Sequence, residues 1–316
     1  MTTSWLGRPA WVVGCLLWLV PVGVASADQA APGKAFDPYD QSDIPLEVDA
    51  TDPKLTKIVL VAGKQSHGPG EHEFFAGTAI LFKMLQQTPG VFPVMARDGW
   101  PKNEKIFQGA KSTVFYMDGR AGHPIIKPDR MELLQKLMDQ GAGFVNLHYA
   151  VDYPPEQGRR ILGWLGGFYD ASISVNPHWV ADFRSLPEHP ITRGVKPFSI
   201  RDEWYYNMHF IEGLKNVTPI LRAIPPDDTR RTADAKKHLG REEIVAWTYE
   251  RANGGRGFGF TGGHHHRNWG DPNFRRLVVN AILWTAHVEI PPEGAKVDLD
   301  PIELEKRLDR KPPKKK

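Results

Sequence analysis

Lys57-Ile58-Val59-Leu60-Val61-Ala62-Gly63 decides the fold. A short apolar, β-branched run that stops at a glycine reads as a strand buried on both faces, the kind that parallel sheets are made of. Working outward, Phe74 to Leu85 sets Phe75, Ala79, Phe82 and Leu85 at helical spacing. Phe92 to Ala96 reads as a second strand, placed at an edge or a start by Pro93. Thr113 to Met117 is a third. Asp129 to Met138 is an amphipathic helix, with Pro128 before it and Gly141 after it, and Gly143 to Leu147 is a fourth strand. Strands alternating with helices predict an α/β fold with a doubly wound, mainly parallel sheet. Residues from about Asp152 to Asn216 are rich in Pro, Gly, Trp and His and break the pattern, which predicts a long insertion over the strand carboxyl ends. The alternation resumes at Val217 to Ile224, Glu243 to Tyr249 and Gly257 to Thr261. A closing helix runs from Pro272 to His287, with Asp271 at its cap and Pro272 at its first position.

The two ends read differently from this core. Arg8, the apolar run Ala10 to Val24 and the small-x-small pattern Ala25-Ser26-Ala27 predict a secretory signal peptide over residues 1–27, hence export to the periplasm or beyond. A membrane anchor fits less well, because the run falls short of the roughly 20 apolar residues a span needs and Pro21 interrupts it. A lipid-attachment box at Val12-Val13-Gly14-Cys15 ranks second to the signal peptide. Residues 28–56 read as an extended lead-in, 57–291 as one α/β domain and 292–316 as a basic, disordered tail.

Composition narrows the chemistry. The only cysteine, Cys15, falls inside the signal. The chain after it has no thiol for a disulfide, a sulfur-held metal or a cysteine nucleophile. With 40 Lys and Arg against 37 Asp and Glu, interleaved, the charge points to no polyanion. The Lys-rich end lacks the aromatic interleaving of a nucleic-acid binder, so none is expected, nor is stable membrane insertion after signal removal. The oligomeric state is not readable.

In an open parallel sheet, ligands bind beyond the carboxyl ends of the strands. The first strand is followed by Ser66-His67-Gly68-Pro69-Gly70-Glu71-His72-Glu73, the third by Asp118-Gly119, the fourth by His148-Tyr149 and the last by Gly262-Gly263-His264-His265-His266. Histidine or aspartate thus arrives at one rim from four strand ends. Neutral imidazole ligates zinc-like ions and also moves protons near neutral pH. His264 and His266, two apart, would share a side in an extended segment. The insertion adds His178-Trp179 and Asp202-Glu203-Trp204-Tyr205-Tyr206, acids beside rings, which suit a sugar pocket as well as they suit a cap and core. His189, His123, His238 and His287 read as structural or exposed.

These segments, with Phe115-Tyr116-Met117-Asp118-Gly119, Gly143-Phe144-Val145-Asn146-Leu147-His148, His189-Pro190-Ile191-Thr192-Arg193-Gly194 and Asn268-Trp269, resemble the trehalose-utilisation (ThuA-like) family. The resemblance implies a class I glutamine amidotransferase-like, flavodoxin-like fold and a link to the catabolism of sugars, with oxidised (3-keto) disaccharides or glycosides as the expected substrates. Amidotransferases of this superfamily carry a nucleophilic Cys at the sharp turn after a central strand. Here that place holds His148, so thioester chemistry on glutamine is excluded. His209 stands where relatives of the family commonly have Arg.

The expectation is therefore an exported enzyme of carbohydrate catabolism, a hydrolase or lyase on a keto-sugar glycoside. His148 is the expected base and His264 its acid partner. His67, His72 and His266 are the expected ligands of a divalent, zinc-like metal, with no nucleotide cofactor. Asp118, His178, Trp179, Glu203 and Tyr205 are expected on the carbohydrate. The alternative is a non-enzymatic sugar-binding protein of the cell envelope.

Overall fold

A computed structural model describes residues 1–7, 9–10 and 36–312. Most of the segment expected to be a signal peptide, residues 11–27, lies outside the described residues. Met1–Phe36 and Asp37–Lys316 form separate units. The described residues of the first are exposed and without regular structure. The fold is that of the second.

Its elements, in chain order, are β1 (Thr56–Ala62), α1 (Phe74–Leu85), β2 (Val91–Ala96), β3 (Ser112–Tyr116), α2 (Pro128–Asp139), β4 (Gly143–Leu147) and α3 (Pro155–Leu165). Then come β5 (Gly167–Phe168), β6 (His178–Phe183), β7 (Phe198–Glu203), β8 (His209–Phe210), β9 (Val217–Ala223), β10 (Glu243–Glu250), β11 (Arg256–Phe260) and α4 (Pro272–Thr285). The seven-stranded sheet has the order β2-β1-β3-β4-β11-β10-β9. The pairs from β2 to β11 are parallel, and β10 and β9 close the far edge antiparallel. As expected from the sequence, β1, β3 and β4 are parallel neighbours, and Pro93 sits on an edge strand where its missing N–H costs no ladder bond.

Successive residues of β1 feed opposite faces. Ile58, Leu60 and Ala62 pack with α1 and α4, while Val59 and Val61 pack with α2 and α3. This two-sided burial is why the founding run is apolar throughout. The insertion begins later than the sequence suggests. α3 is one of the helices flanking the sheet, burying Ile161, Trp164 and Leu165, and its pattern is masked by Pro154, Pro155, Gly158 and Gly163. Pro155 starts it and Gly166, at φ 79°, ends it. The true insertion is the β6–β7 hairpin with the short β5–β8 pair. Among the described residues no helix is long and apolar enough to cross a membrane.

The lead-in and tail also pack. Ile44 is buried, and the Glu47 amide donates to the Met95 carbonyl at 2.8 Å, covering the open edge of β2. Residues 292–312 are not a free tail. Ala295 and Val297 enter the core, Pro301–Glu305 forms a helical turn and the Arg307 side chain is buried. Arg307 earns this place through ion pairs with Asp43 and Glu303, which a reading of charge alone assigns to solvent.

Candidate metal or acid–base centre

Four side chains meet at the carboxyl end of the sheet. The loop after β1 gives His72, the turn after β4 gives His148, the loop after β11 gives His264, and the end of β7 gives Glu203. One atom from each lies within 4.8 Å of the others. His72 Nε2 is 3.0 Å from His148 Nε2 and 3.0 Å from His264 Nδ1. Glu203 Oε2 is 3.0 Å from His264 Nδ1 and 3.5 Å from His148 Nε2. A tetrahedral zinc site with arms of roughly 2.0–2.1 Å has edges of about 3.3–3.4 Å, so these separations match a ligand set.

The outward-facing atoms support that match. His148 Nδ1 faces the Thr261 carbonyl at 2.8 Å, so it carries the proton and leaves Nε2 with a lone pair. His72 Nδ1 faces Asp118 Oδ1 at 3.1 Å, which likewise directs the Nε2 lone pair inward. His264 Nε2 lies 3.5 Å from Glu71 Oε1. Glu203 accepts from Asn176 at 3.1 Å and from the Tyr205 hydroxyl at 3.3 Å. Two lone pairs facing each other at 3.0 Å repel unless a proton or a cation lies between them. Oxygen acceptors behind ligating imidazoles are the usual outer partners of a metal site.

Burial and neighbouring charges reinforce each other at His72 and oppose each other at Glu203 and His264. Burial, reinforced by the neighbouring imidazoles, pushes His72 far below the ordinary histidine range, so it is neutral. Burial also disfavours charge on Glu203, but bonds from His148 and His264 outweigh it and hold the carboxyl below its usual range. His264 is raised, because Glu203, Asp202 and Glu71 together outweigh its burial. Asp118 is raised by burial, which its bond from Ser66 only partly offsets.

Local backbone explains how the rings are aimed. His67, His72 and His148 all have positive φ, at 57°, 45° and 56°. Each such residue costs about 1–2 kcal/mol, and this strain collects where function demands a direction. The His72 and His264 loops are also tied together: the His72 amide donates to the His264 carbonyl at 3.0 Å, and Glu71 bridges His265. Asp202 fixes the second loop from below, accepting from the amides of Gly263 and His264 at 2.7 and 3.0 Å.

Several sequence expectations need correction. His266 is not in any group of potential ligands among the described residues, and its Nε2 faces the Leu304 carbonyl at 3.1 Å. The chain does not stay extended there, since Gly263 has φ 114° and a helical turn starts at His266. Trp179 is buried, its indole donating to the Trp204 carbonyl at 2.9 Å, so it is core and cannot stack on a sugar. In β6 only alternate residues face out, and His178 is one of them. The expected ligand set of His67, His72 and His266 does not form among the described residues. His67 instead joins a side group with His72 and Asp118, stacked on His72 at 3.6 Å between ring centres. Glu71, His264 and His265 make a third group. Asp118 turns to His72 and Ser66, and Tyr205 is buried against His148 and Glu203.

The sequence reading missed Asp202, Glu71, Asn176 and the Thr261 carbonyl. Glu71 lay within a segment already of interest, but a backbone carbonyl has no sequence signal. A cleft of about 420 Å³ opens beside Glu203, between Asn176, His178, Asp228 and Arg231. A larger groove of about 620 Å³, between Glu104 and Gln140, lies at the opposite end of the sheet, away from these groups.

No curated protein sequence matches the chain. A ThuA-like protein of Bacteroides uniformis is 16% identical with a TM-score of 0.54, over 75% of this chain and 93% of its own. One from Parabacteroides merdae is also 16% identical with a TM-score of 0.54, over 80% and 99%. At this identity the likeness speaks for the fold. The profile of the ThuA family, described as trehalose utilisation, matches residues 58–285. From the mainly parallel sheet and that match across most of its length, the chain belongs to the ThuA family, within the class I glutamine amidotransferase-like superfamily.

Proposed function

We propose that the chain is an exported enzyme of carbohydrate catabolism that holds a zinc-like divalent ion on His72, His148, His264 and Glu203. It would act on a (3-keto) glycoside or disaccharide by hydrolysis or elimination. The observation that carries this reading is the inward convergence of three imidazoles and one carboxylate, with His72, His148 and Glu203 each backed by a hydrogen-bond partner and Glu71 lying 3.5 Å behind His264. The family's association with trehalose utilisation supports a carbohydrate substrate. Export rests on the amino-terminal sequence pattern alone.

A bound ion would polarise a sugar carbonyl or hydroxyl by expanding to a fifth ligand or by giving up Glu203, since four protein ligands alone close a tetrahedral site. The chain's own residues then have separable tasks. The four ligating groups fix the carbonyl oxygen's surroundings. His178, exposed on the wall of the cleft beside Glu203 and outside the four-atom set, is placed to take a proton. In the elimination, the proton leaves the carbon beside the ketone and its electron pair forms the enolate. The enolate then expels the glycosidic oxygen, which departs with the proton that His178 took. Addition of water to the resulting enone completes a net hydrolysis.

One observation favours a second, metal-free reading. His264 Nδ1 and Glu203 Oε2 form a buried pair at 3.0 Å with the imidazole pKa raised, an arrangement suited to acid–base work by His264 with His148. Metal analysis separates the two. Tag-free protein is expected to carry about one zinc-class ion per chain, and a strong chelator is expected to stop keto-glycoside turnover until zinc is returned. Turnover that persists in metal-free protein would favour the acid–base reading. Sugar binding without turnover in either state would make the chain a binding protein.

A further inference from the structure

The segment after α4 crosses the molecule and ends against the candidate centre. Its Leu304 carbonyl accepts from His266 at 3.1 Å, on the loop that carries His264. Arg307 ties Glu303 to Asp43 of the lead-in. The Asp309 amide donates to Glu73 Oε2 at 2.8 Å. The Lys311 side chain is fully buried, with its ammonium 3.3 Å from Glu73 Oε1. It donates to the Glu71 carbonyl and, at 3.0 Å, to the His72 carbonyl.

These two carbonyls belong to the peptides on either side of His72. A buried ammonium must satisfy its donors or pay a large desolvation cost. Here all three donors have acceptors, and two of those acceptors fix the peptide planes that set the left-handed backbone of His72. An unrestrained loop would relax from that conformation and turn the ring away from His148 and His264.

We propose that residues 304–311 form a strap that positions the ligand loops, with Lys311 as the positioning residue that holds His72 in its ligating conformation. This rests on His72 and His264 being ligands, as proposed above. The strap runs through a stretch whose composition reads as a solvated basic end. Its function is therefore carried by a few placed groups rather than by an apolar pattern.

The test compares four full-fold proteins: wild type, Lys311→Met, a chain ended after Arg310 and a chain ended after Pro312. Zinc affinity is measured by chelator competition, and amide hydrogen exchange is followed across residues 66–73. Lys311→Met and the chain ended after Arg310 are expected to bind zinc roughly 10–100-fold more weakly, as for loss of an outer partner of a metal site. Exchange in 66–73 should accelerate while the sheet keeps its protection. The chain ended after Pro312, which keeps Lys311, should match wild type in both. Unchanged exchange in 66–73 for Lys311→Met overturns the strap, whatever the metal does. Absence of zinc binding by wild type overturns the metal reading instead, and the exchange data still judge the strap.

Discussion

His148→Ala is expected to lose its metal and nearly all turnover. A four-ligand zinc site is worth roughly 10–16 kcal/mol, so one ligand carries on the order of 3 kcal/mol, or at least about 100-fold in affinity. His148 is fully buried, and its Nε2 faces both His72 and Glu203. The useful control is His189→Ala. His189 caps the turn at Pro190–Thr192 and packs on Trp284, outside both the ligand group and the strap, so its zinc content should not change. Both variants lose some thermal stability, so metal content per folded molecule is the discriminating quantity. Zinc bound by His148→Ala with wild-type affinity would remove His148 from the ligand set. A loss of turnover with no metal in either protein would return His148 to the role of base.

Between pH 7 and pH 5 two buried histidines should destabilise this chain, partly offset by Asp152, whose carboxyl is pushed up to about 7 by burial and takes up a proton in the fold over the same range. Burial pushes His123 down to about 3 and His266 down to about 4, from 6.5. Both are neutral in the fold over a range where the unfolded chain takes up protons. Their folded pKa values are depressed, so their stabilisation is present above 6.5 and is lost as the pH falls toward the folded values. Between pH 7 and pH 5 each costs about 2 kcal/mol, about 4 for the two, and protonation of Asp152 returns about 2, so the net fall is on the order of 5 °C in melting temperature. His72 acts in the same direction, and its ligation of metal should weaken in parallel. His264 acts the other way, since its raised pKa gives stability that is complete below 6.5 and fades as the pH rises through its folded value. Denaturant midpoints of chelated protein at pH 7 and pH 5 measure this. A fall from pH 7 to pH 5 as large in His123→Asn as in wild type would mean that His123 is not held neutral by burial.

The sheet was readable because its strands are buried on both faces, which leaves continuous apolar runs such as Lys57 to Ala62 and Gly143 to Leu147. Strand ends then located the rim, and the rim located His72, His148 and His264. The grouping of those residues was less readable, because it depends on backbone direction. Alternation paired His264 with His266, but Gly263 and the turn at His266 cancel it. Trp179 and Glu203 came from the same hairpin and met opposite fates, since facing in β6 and β7 is set by pairing across the hairpin. Asp202 and Glu203 look equivalent as neighbouring acids. One accepts backbone amides, and the other faces imidazoles. The segment 292–312 was misread because its anchors are single charged groups, each invisible without its partner.

The left-handed backbone at His67, His72 and His148 bears on how variants of this chain would be selected. Glycine or asparagine tolerates such φ values at lower cost, so replacing these histidines relieves strain. Removing His72 or His148 also separates lone pairs that face each other at 3.0 Å. A library ranked by heat resistance in chelator would therefore drift toward losing these imidazoles, His67 first because it is partly exposed and packs least. The same library ranked with zinc at a thousandfold excess over its dissociation constant would keep the ligating pair, because occupancy adds about 4 kcal/mol to every chain that still binds.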